Sequence, residues 1–235
     1  MTTSEHADTQ STQAPASLSA ALEERNALRA DIYLLLARLV RESPNEELLA
    51  FLATLEPDDE GSPLKRHWAS LSLAARHAHP GTLHDVHFGL LIGVIQGQLV
   101  PYASWYLTGS LMEMPLVALR HDLKHLGFER AAHVKEPEDH FSAMCEVMAM
   151  LIDTRAEAQA AFFKRHLSPW ALRFMRDLAQ VEDPFYASVG ALGEAFLSRE
   201  DNQLQSDPDA QVVTFSPAPA TLGEGAKFSD GDTHT

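Results

Sequence analysis

Apolar residues recur at helical spacing along most of this chain. Leu28, Ile32, Leu35, Leu36 and Leu39 fall at i, i+4, i+7, i+8 and i+11, which predicts a first helix with one core-facing stripe, ending before Ser43. Ser43-Pro44-Asn45-Glu46 then supplies an N-cap, an N1 proline and an N3 glutamate for a second helix through Leu55. The same Ser/Asp-Pro device predicts helix starts at Ser62-Pro63, Ser168-Pro169 and Asp183-Pro184, and Thr82-Leu83-His84-Asp85 reads as a capping box. Leu116, Leu119, Leu123 and Leu126 form another stripe, with Gly127 placed to end the helix. Only Gln211-Val212-Val213-Thr214-Phe215 reads as β, and it stands alone in a tail rich in Pro, Gly, Ser and Asp. These signals predict an all-α, irregular single-domain helical bundle over residues 17–202, with disordered tails over 1–16 and 203–235. No fixed-period repeat supports a solenoid.

Two stretches carry the candidate chemistry. Glu136-Pro137-Glu138-Asp139-His140 precedes Phe141, Met144, Cys145, Met148, Leu151 and Ile152, which recur at i, i+3, i+4, i+7, i+10 and i+11. With Pro137 at N1, the acids and the imidazole would occupy an exposed first turn where a partner reaches them. Acids near a helix N-terminus also complement its dipole with no partner at all. In Pro101-Tyr102-Ala103-Ser104-Trp105-Tyr106-Leu107, the spacing of Tyr102, Trp105 and Tyr106 puts all three on one face if the segment is helical. Core packing and recognition both account for such a face.

The run E-P-x-D-H resembles the signature of the TorD/DmsD/NarJ family of redox-enzyme maturation chaperones. The resemblance extends upstream through Leu90-Leu91-Ile92-Gly93, which lacks the usual Phe, into Pro101 to Leu107, similar to the family's "P-x-x-S-x-Y-L". Downstream it takes in Phe162 to Leu167, Pro169-Trp170 and Phe185-Tyr186, so matching features run from about Arg29 to Phe196.

Composition narrows the alternatives. With 33 acidic against 18 basic residues, the formal charge of −15 lacks the basic face that nucleic acid demands and would instead attract a cationic peptide. The single cysteine, Cys145, falls on an apolar stripe, where a free thiol acts as a small hydrophobe. Residues 1–16 lack the features of a secretory signal, and the richest apolar segment, Phe88 to Val100, is too short to span a bilayer, so a cytoplasmic protein without integral membrane association is expected. His77, His79, His84 and His87 invite a metal reading, a small helical metalloenzyme, but their spacing matches no closed zinc set. His121 and His125 lack the H-E-x-x-H glutamate, and Gly223 to Lys227 is no phosphate loop. No enzyme, metal or cofactor is expected.

The resemblance implies a TorD-like all-helical fold. It also implies a chaperone that binds the twin-arginine leader and apo-subunit of a molybdenum oxidoreductase, aids cofactor insertion and delays export. A NarJ-like chaperone for a cytoplasm-facing nitrate reductase subunit is the close alternative. The family's leader-binding role carries over to Tyr102, Ser104, Trp105, Tyr106, Glu136, Asp139 and His140. Some relatives swap domains, so a monomer or a swapped homodimer is expected.

Overall fold

The computed structural model describes residues 13–55, 63–93, 97–154 and 156–205. Ten α-helices are found among these residues: α1 (Gln13–Arg41), α2 (Glu46–Thr54), α3 (Lys65–His77), α4 (Pro80–His87), α5 (Ala103–Thr108), α6 (Met114–His125), α7 (Phe141–Thr154), α8 (Gln159–Phe162), α9 (Ala171–Leu178) and α10 (Pro184–Gln205). A π-helical turn continues α4 over Phe88–Ile92 and another continues α8 over Phe163–Leu167. No strand occurs among the described residues, so the expected all-α class holds.

Helix α7 is the spine of the molecule. The six stripe residues are all buried, and so are Ser142, Val147 and Ala149, which leaves only part of one face outside the core. Helix α1 lies along it. Helix α10 packs on α9 and α3, and α2 packs on α3. Gly190 is what lets α10 cross the end of α9, since a Cβ there would sit 2.3 Å from the Ala179 nitrogen. Cys145 is fully buried, and desolvation pushes its thiol well up, which suits a core hydrophobe.

The α1 stripe is rotated from its expected direction. Ile32, Leu36 and Leu39 are buried together with Tyr33, Ala37 and Val40, but Leu28 is 58% exposed. Leu28 and Leu35 instead line an apolar cavity of about 540 Å³ with Phe51, Leu55 and Trp68. The start signals also shift. Asn45, not Ser43, caps α2 by accepting from the Leu48 N–H at 2.9 Å. Thr82 lies inside α4, which begins at Pro80, so it caps nothing. Asp183 does cap α10, accepting from the Tyr186 N–H at 2.9 Å, and Gly127 takes φ 78° at the end of α6. Helix α1 takes in residues 13–16 and α10 takes in 203–205. The tail expectations for residues 1–12 and 206–235, including the β-like Gln211 to Phe215, lie outside the described residues.

A buried ion pair ties the two long helices. Arg29 Nε and Nη2 donate to the two carboxylate oxygens of Glu200 at 2.8 and 2.7 Å, Nη2 also donates to Gln159 Oε1, and the Tyr33 hydroxyl donates to Glu200 Oε2. Such a pair is costly to break because the surviving charge is stranded. Arg29→Met should therefore lower unfolding free energy by about 3–5 kcal/mol, and adding Glu200→Leu should restore part of it. Urea denaturation followed by circular dichroism measures both, and an Arg29→Met variant as stable as wild type would refute the clamp.

Candidate functional site

The two motif stretches meet. Pro101–Ser104 and Asp139–Phe141 run antiparallel through a bridge between Tyr102 and His140. The Ala103 N–H donates to the Asp139 carbonyl at 2.9 Å, and the Phe141 N–H donates to the Pro101 carbonyl at 2.8 Å. Proline has no N–H, so Pro101 joins this clip through its carbonyl alone. The Asp139 side chain completes it: Oδ2 accepts from the Ser104 N–H at 2.9 Å and from the Ser104 hydroxyl. Tyr102, the N-cap of α5, provides no side-chain cap. Asp139 therefore satisfies an N–H in the first turn of α5 from another segment, with its charge at the positive end of the helix.

This geometry corrects the expectation of an exposed first turn. Asp139 is 1% exposed, His140 4% and Ser104 0%. Pro137 does not open the helix, because the His140 N–H folds back onto the Pro137 carbonyl at 3.2 Å and α7 starts only at Phe141. His140 Nδ1 accepts from the Ser142 N–H at 3.2 Å, which puts the ring proton of the neutral imidazole on Nε2. Burial, then the charges of Arg41 and His87, push its pKa down to about 3. Glu136 Oε2 lies 3.5 Å from Nδ1, yet a neutral ring forms no ion pair with it. Asp139 Oδ1 and Ser142 Oγ are buried without a hydrogen-bond partner among the described residues.

The three aromatics do not share one surface. Tyr102 precedes α5 and sets its ring edge-on to His140 at 4.9 Å, with its hydroxyl pushed up to about 12 by burial and the charges of Glu136 and Asp139. Tyr106 turns inward against Trp170 and Phe174, and its hydroxyl donates to Asp177 at 3.0 Å. Trp105 is half-buried. Of the seven expected site residues, Tyr102, Trp105, Tyr106 and Glu136 keep part of their surface in solvent.

Beside the clip lies a cavity of about 640 Å³. Its apolar lining comes from Leu123, Phe128, Val134, Val147 and Met150, and its polar lining includes Arg41, Arg130, Glu136, Glu138 and Glu146. Arg41 bonds both carboxylate oxygens of Glu146 and lies 3.6 Å from Glu136. Burial raises the Glu136 pKa, and Arg41 only partly opposes it. Burial also disfavours charge on Glu138, but hydrogen bonding from Arg120 and the charges of Arg120 and Arg130 prevail and hold its carboxyl below the usual range. Sequence reasoning missed Arg41 and Glu146. Glu146 was visible as a charge inside the apolar α7 run, but its partner is 105 positions away. Among the described residues, no three His, Cys, Asp or Glu side chains are grouped to hold a metal. His87 is buried with Nε2 at 3.2 Å from the Val40 carbonyl oxygen.

Two outcomes follow from this burial. Asp139→Ala should cost about 2–3 kcal/mol, the loss of charge-assisted bonds offset partly by removing the unpartnered Oδ1, as read by urea denaturation. Lowering pH should also destabilise the fold. Unfolded His140 takes up a proton near its ordinary pKa of about 6.5, whereas folded His140 resists protonation to about 3, so its stability contribution is complete above 6.5 and lost below it. His87, also lowered, acts in the same direction. Denaturation midpoints from about pH 7.5 to about pH 5 should fall, and His140→Gln should flatten the fall. A midpoint unchanged across that range would contradict the neutral buried imidazole.

The chain is similar to known proteins. A family model described as nitrate reductase delta subunit matches residues 57–176, which include α3 to α8, most of α9 and both motif stretches. The probable Tat proofreading chaperone DmsD of Haemophilus influenzae (strain ATCC 51907 / DSM 11121 / KW20 / Rd) is 29% identical over 106 residues, 44% of this chain and 52% of that protein. The chain thus matches about half the length of this curated relative. A solved structure from Archaeoglobus fulgidus, assigned as a redox enzyme maturation protein, superposes with a TM-score of 0.48 at 20% identity, covering 72% of this chain and 93% of that one. With its family model matching more than half of its residues, the chain belongs to the nitrate reductase delta subunit family.

Proposed function

We propose that this protein is a maturation chaperone, not an enzyme, that binds the twin-arginine leader and the apo form of a molybdenum-cofactor oxidoreductase subunit in the cytoplasm. Holding the leader delays export while the cofactor is inserted. The observation that carries this reading is the interlocking of Pro101–Ser104 with Asp139–Phe141, the two stretches on which the family resemblance rests, beside a cavity with acids and exposed apolar groups. A leader of two arginines followed by apolar residues needs both kinds of surface. The formal charge of −15 adds long-range attraction for such a peptide. The similar DmsD protein is itself named as a Tat proofreading chaperone.

The burial of Asp139, His140 and Ser104 changes their proposed role from contact to positioning. Tyr102, Trp105 and Glu136 remain as the groups a leader can touch, and Tyr106 holds α5 against α9 through Asp177. A second reading is favoured by the family description itself: a NarJ-like assembly chaperone serving a cytoplasm-facing nitrate reductase subunit. The leader discriminates them.

Titration calorimetry with a synthetic twin-arginine leader and with the N-terminal peptide of a nitrate reductase catalytic subunit tests the proposal directly. The twin-arginine peptide should bind, and its affinity should fall by about tenfold between about 0.05 and 0.5 M salt. Preference for the nitrate reductase peptide would favour the second reading, and binding of neither would overturn both. Trp105→Ala should weaken binding by about tenfold without lowering the melting temperature. A Trp105→Ala variant that binds as wild type removes α5 from the contact surface.

A further inference from the structure

The cavity beside the clip is unevenly supplied with counter-charge. Glu138 is held by two guanidinium groups: Arg120 Nε and Nη2 lie 2.8 Å from its Oε2, and Arg130 Nε lies 3.2 Å from its Oε1. Among the described residues, Glu136 and Glu146 share a single guanidinium within 4 Å, since Arg41 is engaged mainly with Glu146 and stands 3.6 Å from Glu136, while Lys135 lines the same cavity without an ion pair to either. One carboxylate therefore has two cations, while two carboxylates divide one. The Glu136 side chain is 30% exposed and that of Glu146 37%, so an incoming donor can reach both. Val134 and Met150, 38% and 41% exposed, put apolar surface in the same cavity.

We infer that Glu136 and Glu146 form the receptor for one guanidinium of a bound peptide, with Arg41 holding them in place and Val134 and Met150 receiving the apolar side chain that follows. The inference rests on the chaperone reading above and names where its peptide binds. Guanidinium suits the site because its rigid planar fork offers five donors and can meet each carboxylate edge-on, a bidentate geometry that the three donors of an ammonium do not reproduce. A second cation also relieves an existing imbalance: burial already pushes the Glu136 carboxyl up despite Arg41, so its charge is under-compensated in the free protein. Glu138 has no such deficit and serves to fasten the 130s loop to α6.

Fluorescence anisotropy with a labelled synthetic peptide, two adjacent arginines followed by an apolar stretch, tests this on the full chain. Glu136→Gln and Glu146→Gln should each weaken binding roughly tenfold, and the same peptide with lysines should bind more weakly than with arginines. Glu194→Gln, which removes one acid at its pair with Arg176 outside the cavity, should leave affinity per folded molecule unchanged. Met150→Lys, which places a like charge in the cavity and keeps both carboxylates, should weaken binding of the arginine peptide even if Glu146→Gln disturbs the fold. If wild type binds the peptide and neither Glu136→Gln nor Met150→Lys alters affinity, the receptor assignment is wrong and the chaperone reading stands. If wild type binds no leader peptide at all, both fall together.

Discussion

The arrangement around the motifs hangs on one side chain, the carboxylate of Asp139. Helix α5 has six residues, far too few to be stable by its own hydrogen bonds. Its first turn is secured from outside, by Asp139 bonding the backbone and hydroxyl of Ser104 while the Asp139 carbonyl takes the Ala103 N–H. Because Asp139 is two residues ahead of α7, the same contacts fix where the spine helix begins relative to α5. The aromatic residues of α5 and the acids of the 130s loop are thereby held in one frame.

Histidine follows aspartate there for a related reason. His140 has its backbone in the clip and its ring buried, so it must be neutral and its nitrogens need partners. Nδ1 finds one in the Ser142 N–H at the start of α7, an orphan donor of that helix. The Tyr102 ring covers the imidazole from the opposing segment. Acid and imidazole thus cap two helices from one loop, Asp139 serving α5 and His140 serving α7.

Much of the scaffold was legible in the sequence, because helical periodicity reports burial directly. All six α7 stripe residues and all four α6 leucines are buried as their spacing implied. What failed was local polarity. Asp-His after Glu-Pro-Glu reads as an exposed helix start, since neither residue type enters a core without partners. The partner, Ser104, is 35 positions away and no periodicity announces it. Leu28 failed in the opposite direction: it fits the α1 stripe, but the helix buries Tyr33, Leu36 and Val40 and leaves Leu28 lining a cavity. Asn45 displaced Ser43 as the α2 cap because both are good cap residues and only the chain path chooses between them.

The charge of the chain acts at two ranges. An excess of acids over the whole sequence sets a field that is screened within about 8 Å at physiological salt, so it can hasten the arrival of a cationic peptide without choosing its docking point. Choice needs a place where adding a positive charge gains more than elsewhere. On Glu138 two arginines have already taken that gain, and on an isolated surface acid water supplies most of it. Glu136 is different because it is partly withdrawn from water and shares its single arginine with Glu146. The clip supports that imbalance by anchoring Asp139 to Phe141 against Pro101 to Ser104, which restrains the backbone that follows Glu136.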